Sequence, residues 1–191
     1  MSKLLSRIFL VIGILLLTAA LVIGAVTLYL KRLNDAEKIL KELSLLIPEP
    51  YDGYITEDAD IQMPVTECLG RDYIGIIELP EYSRRLPVCS DWSRNTVNHI
   101  PCRFTGSMYD SSLVIGASDE KGSIDFTREL SLGDRVSFTD VSGACFDMRI
   151  SEIELSKDAD REALCDGEYD MTVFVRNSLS FDYTIVRCTL Q

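Results

Sequence analysis

Three hydropathy patterns follow one another along the chain. From Ile8 to Leu30 the sequence IFLVIGILLLTAALVIGAVTLYL runs for 23 positions without a charged side chain. As a helix this run is about 35 Å long, enough to cross a hydrocarbon core of roughly 30 Å with some tilt. Gly13 and Gly24 are tolerated in such a helix, and Tyr29 stands where an interfacial aromatic is expected. Residues 31–47 (KRLNDAEKILKELSLLI) then place Leu33, Ile39, Leu40, Leu43, Leu46 and Ile47 at helical spacing, with Glu37 and Lys41 forming a favourable i,i+4 pair. This predicts an amphipathic stalk helix packed on its own domain and ended by Pro48 and Pro50. Residues 48–70, punctuated by Gly53, Pro64 and Gly70, read as a linker.

From Tyr73 the period changes again, to short β-type runs between turn residues. The predicted strands are 73–79, 86–90, 101–106, 112–117, 135–140, 145–155, 171–176 and 183–190. Their spacing predicts an antiparallel or mixed barrel or sandwich, with helical pieces at 124–130 and 158–164. Eight strands within about 120 residues can bury a real core. The expected organisation is a tail (1–7), a transmembrane helix (8–30), a stalk (31–47), a linker (48–70) and a β domain (71–191).

The apolar leader is longer than the ~7–15 residues of a signal-peptide core, and Lys31 and Arg32 follow it without a small-x-small cleavage site. It therefore reads as an uncleaved anchor. Lys3, Arg7 and the amino terminus slightly outweigh the positive charge after the span, which predicts a single pass with the N-terminus inside and residues 31–191 outside the cytoplasm. Composition sharpens this division. The 191-residue chain is 47% hydrophobic with a formal net charge of −11, and residues 1–30 contribute only Lys3 and Arg7 to its charged groups. A greasy leader precedes a strongly acidic body. Such a body is a poor nucleic-acid binder, because neutralising phosphates takes a surplus of Lys and Arg.

Motifs for phosphate, dinucleotide or zinc chemistry are absent, and no cofactor or metal is expected. The acids Asp158, Asp160, Glu162, Asp166, Glu168 and Asp170 read as a solvated loop, since Ala163 stands where an EF-hand needs its turn glycine. Six widely spaced cysteines (Cys68, Cys89, Cys102, Cys145, Cys165 and Cys188) allow disulfides but fix no connectivity, and mostly free thiols are expected. His99, the single histidine, reads as a surface or strand-end residue beside Pro101.

The segments DYIGIIELPEYSRRLPVCSDWS (72–93), PCRFTGS (101–107), SLVIGAS (112–118), LSLGDRVSFTDVSGACFDMRISEIEL (130–155), YDMTVFV (169–175) and YTIVRC (183–188) occur in an order that resembles the sortases, membrane-anchored cysteine transpeptidases of Gram-positive bacteria. The resemblance implies an eight-stranded β-barrel with short helices behind an N-terminal anchor. It also implies three reactive positions: a His after the L-V-I-A-G strand, a Cys ending the T-L-x-T-C strand and an Arg opening the last strand. In this chain those positions hold Ser118, Arg176 and Tyr183. Arg176 cannot act as a nucleophile, Ser118 has no imidazole there to take its proton, and Tyr183 brings a hydrogen-bond donor without positive charge.

The resemblance thus implies a catalytically degenerate member, a binding or accessory module at the cell surface with Ser118, Arg176 and Tyr183 as peptide-groove candidates. Its implied partners are secreted or wall-sorted proteins, or an active sortase. Two alternatives stay open: an active transpeptidase for LPxTG-like signals using another thiol, with Cys188 and Cys102 as candidates, and a structural or regulatory protein whose groove is closed by its own side chains.

Overall fold

The computed structural model describes residues 2–56, 62–119, 124, 127–165 and 167–191. The chain divides into two compact units, Met1–Asp35 and Ala36–Gln191. Helix α1 (Ser2–Leu46) contributes to both. Within the first unit the stretch Phe9–Thr27, 19 residues of mean hydropathy 2.9, is long and apolar enough to cross a membrane, and none of it is buried. Its two threonines are compatible with lipid because each hydroxyl donates to its own helix: Thr18 to the Leu15 carbonyl at 2.9 Å, Thr27 to the Ile23 carbonyl at 2.8 Å.

The second unit is built on ten strands: β1 (Tyr51–Asp52), β2 (Thr66–Cys68), β3 (Arg71–Leu79), β4 (Arg84–Cys89), β5 (Cys102–Thr105), β6 (Leu113–Ser118), β7 (Arg135–Asp140), β8 (Ala144–Ser156), β9 (Met171–Arg176) and β10 (Tyr183–Leu190). Eight of them close a mainly antiparallel barrel in the order β3-β7-β8-β10-β9-β6-β5-β4 and back to β3. Only β4–β5 and β6–β9 pair in parallel within this ring. Closure gives every barrel strand a partner on both sides, with β4 and β5 joined by the single pair Cys89–Cys102.

The side-chain period explains which face each strand turns inward. In β9, Met171, Val173 and Val175 enter the central core, and in β6, Leu113, Ile115 and Ala117 do. In β8, Ala144, Phe146, Met148 and Ile150 alternate inward with more exposed neighbours. Gly75 lets β7 approach β3, since a Cβ there would lie 2.2 Å from the Thr139 carbonyl. The β7–β8 turn is fixed by fully buried Asp140. Its Oδ1 accepts the Ser142 and Ala144 amides at 2.8 and 3.0 Å, and its Oδ2 accepts the Tyr109 hydroxyl at 2.6 Å.

A second cluster lies outside the barrel wall. Leu43, Cys68, Tyr73, Ile76, Cys89, Val97, Ile100 and Cys102 are buried together there, with Ile39, Leu40 and Ile47 packed against them. The end of α1 thus belongs to the β domain, and Leu43 is its fully buried anchor. Residues 48–70 also do more than link. β1 adds in parallel to β8, β2 adds antiparallel to β3, and Met63 enters the central core. These pairings are two and three residues long, too short to show a hydropathy period. Within the segments expected to be helical, Thr127–Glu129 forms a 3₁₀ turn and α3 spans Arg161–Leu164. Two turns arise outside them, a 3₁₀ turn at Pro80–Tyr82 and α2 at Arg94–Val97, the latter capped by Ser93, whose side chain accepts the Thr96 amide at 3.1 Å.

Leu43→Ala is expected to destabilise the folded chain by about 2–5 kcal/mol through the cavity left in the outer cluster. Urea unfolding of the full chain in detergent checks this. An unchanged midpoint would mean that the end of α1 is not part of the folded domain.

Candidate functional site

The parallel β6–β9 ladder sets Ser118 opposite Arg176, and the antiparallel β9–β10 ladder sets Tyr183 opposite the same residue. The three residues singled out in the sequence therefore stand abreast at one end of three adjacent strands. Alternation puts them on the outer face, because Ala117 and Val175 point into the barrel. Their environments differ. Ser118 is buried, and its hydroxyl donates to the Asn98 carbonyl at 3.1 Å. Arg176 is exposed, with its guanidinium 5.9 Å from the centre of the Phe181 ring and no ion pair among the described residues. Tyr183 is half-buried, its ring 6.4 Å from that of Phe174.

The wall below them is covered by aromatic rings. Trp92 lies 5.2 Å from Phe104 and 5.5 Å from Phe174, and these last two rings meet edge to face at 5.3 Å. Gly116 makes this possible: a Cβ there would lie 2.0 Å from the Trp92 indole and 2.6 Å from Phe174. A glycine in the middle of a buried strand was the one sequence signal for such a close approach. The identity of the ring that fills the space, Trp92 from beyond β4, had no signal.

The turn from β9 to β10 is held by its own polar groups and by Asp119, which follows β6. The Asn177 amide donates to Asp182 at 2.6 Å and to Thr184 at 3.2 Å, and the Ser178 backbone amide donates to Asp119 at 2.8 Å. The Ser178 and Ser180 hydroxyls add bonds to Asp119 and Asp182. This frame carries Phe181 in a left-handed conformation (φ 60°) and leaves Leu179 and Phe181 exposed beside Arg176.

The other sequence candidates lie elsewhere. Cys188 pairs with Met171 on the ladder and faces the central core, where burial, reinforced by Asp170, pushes its thiol up to about 12. Cys102 pairs with Gly116, and its thiol is raised by the hydrogen bond it makes to Cys89 and by burial. His99 is half-buried at the end of α2, with Nδ1 lacking a partner. All six cysteines are free thiols. No group of His, Cys, Asp or Glu able to hold a metal occurs among the described residues. Of the acidic run, Asp170 accepts the Leu190 amide at 2.7 Å, and Asp166 lies outside the described residues.

No protein-family model matches the chain, and no curated protein sequence does. Solved structures do match. Sortase A from Corynebacterium diphtheriae, as a lid mutant, superposes with a TM-score of 0.55 at 17% identity over 63% of this chain and 71% of that one. The barrel has the sortase fold. A Clostridium perfringens sortase D5 transpeptidase gives a TM-score of 0.53 at 16% identity over 62% of this chain and 79% of that one. The pilus-related sortase C of Group B Streptococcus gives 0.53 at 16% identity over 86% of this chain and 96% of that one. At such identities the likeness is one of fold.

Iodoacetamide at pH 8 is expected to label exposed Cys165 in the native chain and to spare Cys188 until denaturant is added. Peptide mapping checks this. Native labelling of Cys188 would mean that the core of the sortase-fold barrel opens readily.

Proposed function

We propose that this chain is a membrane-anchored, catalytically degenerate sortase-fold protein, a binding or accessory module at the cell surface without transpeptidase activity. The observation that carries the reading is the row Ser118–Arg176–Tyr183 on three adjacent strands. Thioacyl transfer needs a thiolate, a base and an oxyanion donor in mutual reach. This row offers a hydroxyl that donates to a backbone carbonyl, a permanent cation and a phenol. Neither Cys188 nor Cys102 supports the alternative thiol, since burial raises the first, and the hydrogen bond to Cys89 together with burial raises the second.

The row retains the means to bind. An exposed guanidinium beside the Phe181 ring suits a carboxylate, which an arginine can engage with two parallel hydrogen bonds. The ligand on this reading is an acidic or C-terminal carboxylate of a peptide from a secreted or wall-sorted protein, or of an active sortase. The apolar helix at Phe9–Thr27 would hold the module at the membrane with its N-terminus inside.

A second reading rests on Trp92. Its ring occupies the wall over Gly116, which favours a groove closed by the protein's own side chains and a structural or regulatory role.

Fluorescence anisotropy with labelled LPxTG-like peptides, carrying Asp or Glu at the variable position and a free C-terminus, separates the two. For the binding module, Arg176→Ala weakens binding by about tenfold or more, the scale of a hydrogen bond to a charged group. Absence of binding by the unaltered chain, together with new binding after Trp92→Ala, would overturn it in favour of the closed groove.

A further inference from the structure

A second group of reactive side chains lies apart from the Ser118–Arg176–Tyr183 row. Cys89 ends β4, and its partner on the parallel β4–β5 ladder is Cys102. Both side chains are buried in the same outer cluster, so they leave their strands on one face. Strands so paired lie roughly 4.7–4.9 Å apart, within the Cα separation of about 4.4–6.8 Å that a disulfide spans. Cys89 also lines an open cleft of about 460 Å³, whose other lining residues include Arg71, Thr96, Glu67, Asp72 and Asp91.

The surroundings of Cys89 suit a thiolate. The Cys102 thiol, as hydrogen-bond donor, holds the Cys89 thiol below its ordinary value against the opposing effect of burial, with help from Arg71 and the Tyr73 hydroxyl. Cys102 has a second acceptor in the Ile100 carbonyl at 3.3 Å. Arg71 is positioned by the Thr96 hydroxyl, to which its Nη1 donates at 3.4 Å. Tyr73, opposite Cys89 on the β3–β4 ladder, buries a hydroxyl with no nitrogen or oxygen partner. A sulfur anion at Cys89 is an acceptor that satisfies it. Cys68, in the same cluster, differs: burial and then the Glu42 charge push its thiol up.

The geometry points to a dithiol–disulfide exchange site, with Cys89 as the attacking thiol, Cys102 as the resolving thiol and a small cationic disulfide as the substrate class. The Cys89 thiolate attacks one sulfur of RS–SR, forming Cys89–S–S–R and releasing RS⁻. Cys102 then gives its proton to solvent, and its sulfur attacks that of Cys89. The Cys89–Cys102 bond forms and the second RS⁻ leaves. The protein loses two electrons, the disulfide gains two, and the two thiol protons end on two RSH. Preference for a cation follows from the balance of the lining residues, three acidic (Glu67, Asp72 and Asp91) against one arginine. The size of the cleft limits the substrate to small molecules.

The test uses the full chain in detergent at neutral pH, treated separately with cystamine, a dication, and with oxidised glutathione, an anion. Samples are quenched in acid, alkylated and mapped by mass spectrometry. The expected result is a Cys89–Cys102 disulfide with two cysteamines released per chain, formed about tenfold faster with cystamine than with oxidised glutathione. Cys102→Ser is expected to stop at a cysteamine adduct on Cys89, and Cys89→Ser to leave Cys102 unmodified. Arg71→Gln, a change at an exposed residue that keeps the measurement informative if the cysteine variants misfold, is expected to slow reaction with neutral 2-hydroxyethyl disulfide. Native Cys89 and Cys102 that stay reduced while Cys165 reacts would overturn the site. So would a pair that links only in denaturant. Oxidised glutathione reacting as fast as cystamine would overturn the cation preference.

Discussion

The parallel ladder between β6 and β9 is the constraint on which the outer surface of this domain depends. It fixes which residues of both strands enter the barrel, and with them what stands outside. With Leu113, Ile115 and Ala117 of one strand and Met171, Val173 and Val175 of the other turned inward, Gly116, Ser118, Phe174 and Arg176 must face out. A slip of one residue would drive the Arg176 guanidinium into the apolar core, at a cost of several kcal/mol for an unpaired buried charge. The register is thus held by hydrophobic burial, and the row of three residues at the strand ends is a consequence of it. The β10 strand extends the row because its own alternation, with Val186 and Cys188 inward, leaves Tyr183 outside beside Arg176.

The outer face is covered in two different ways. Over β6 and β9 the cover is aromatic, Trp92 and Phe104 against Phe174, and it is admitted by the missing side chain of Gly116. Over β3, β4 and β5 it is aliphatic and sulfur-bearing, with Leu43 of α1, Val97 of α2 and Ile100 closing over Tyr73, Cys89 and Cys102. The connection after β4 serves both regions. It supplies Trp92 to the first, and through Asp91 and Thr96 it walls the cleft beside Cys89 in the second.

Much of this was legible in the sequence. The bounds of β7, β9 and β10 follow from the β-branched and aromatic runs RVSFTD, MTVFVR and YTIVRCTL, whose near-alternation is broken at Phe174 and Ile185, the residues that pack on the outer face. Their order carried the resemblance to sortases, and the fold agrees with it. What stayed hidden lacks a period. β1 and β2 are too short to show one, and α2 is a single turn whose only local mark is the cap at Ser93. The close approach of Cys89 and Cys102 was unreadable for a different reason. It arises from a parallel pairing across an irregular connection, and no local pattern encodes which non-consecutive residues such a connection brings into register. The sequence singled out Ser118, Arg176 and Tyr183 as positions, and the ladders set them abreast. The Asn98 carbonyl that accepts the Ser118 hydroxyl's hydrogen bond and the ring of Phe181 beside Arg176 needed the fold.

The central claim is that a sortase-fold barrel here carries no acyl-transfer chemistry. The most direct measurement is turnover: the full chain in detergent, a panel of LPxTG-like peptides and hydroxylamine as acceptor, with hydroxamate and cleaved peptide quantified by mass spectrometry. The account predicts neither product above a chain-free control. Hydroxamate formed by the unaltered chain and lost on alkylation of its thiols would contradict it, and would show that a cysteine performs the transfer.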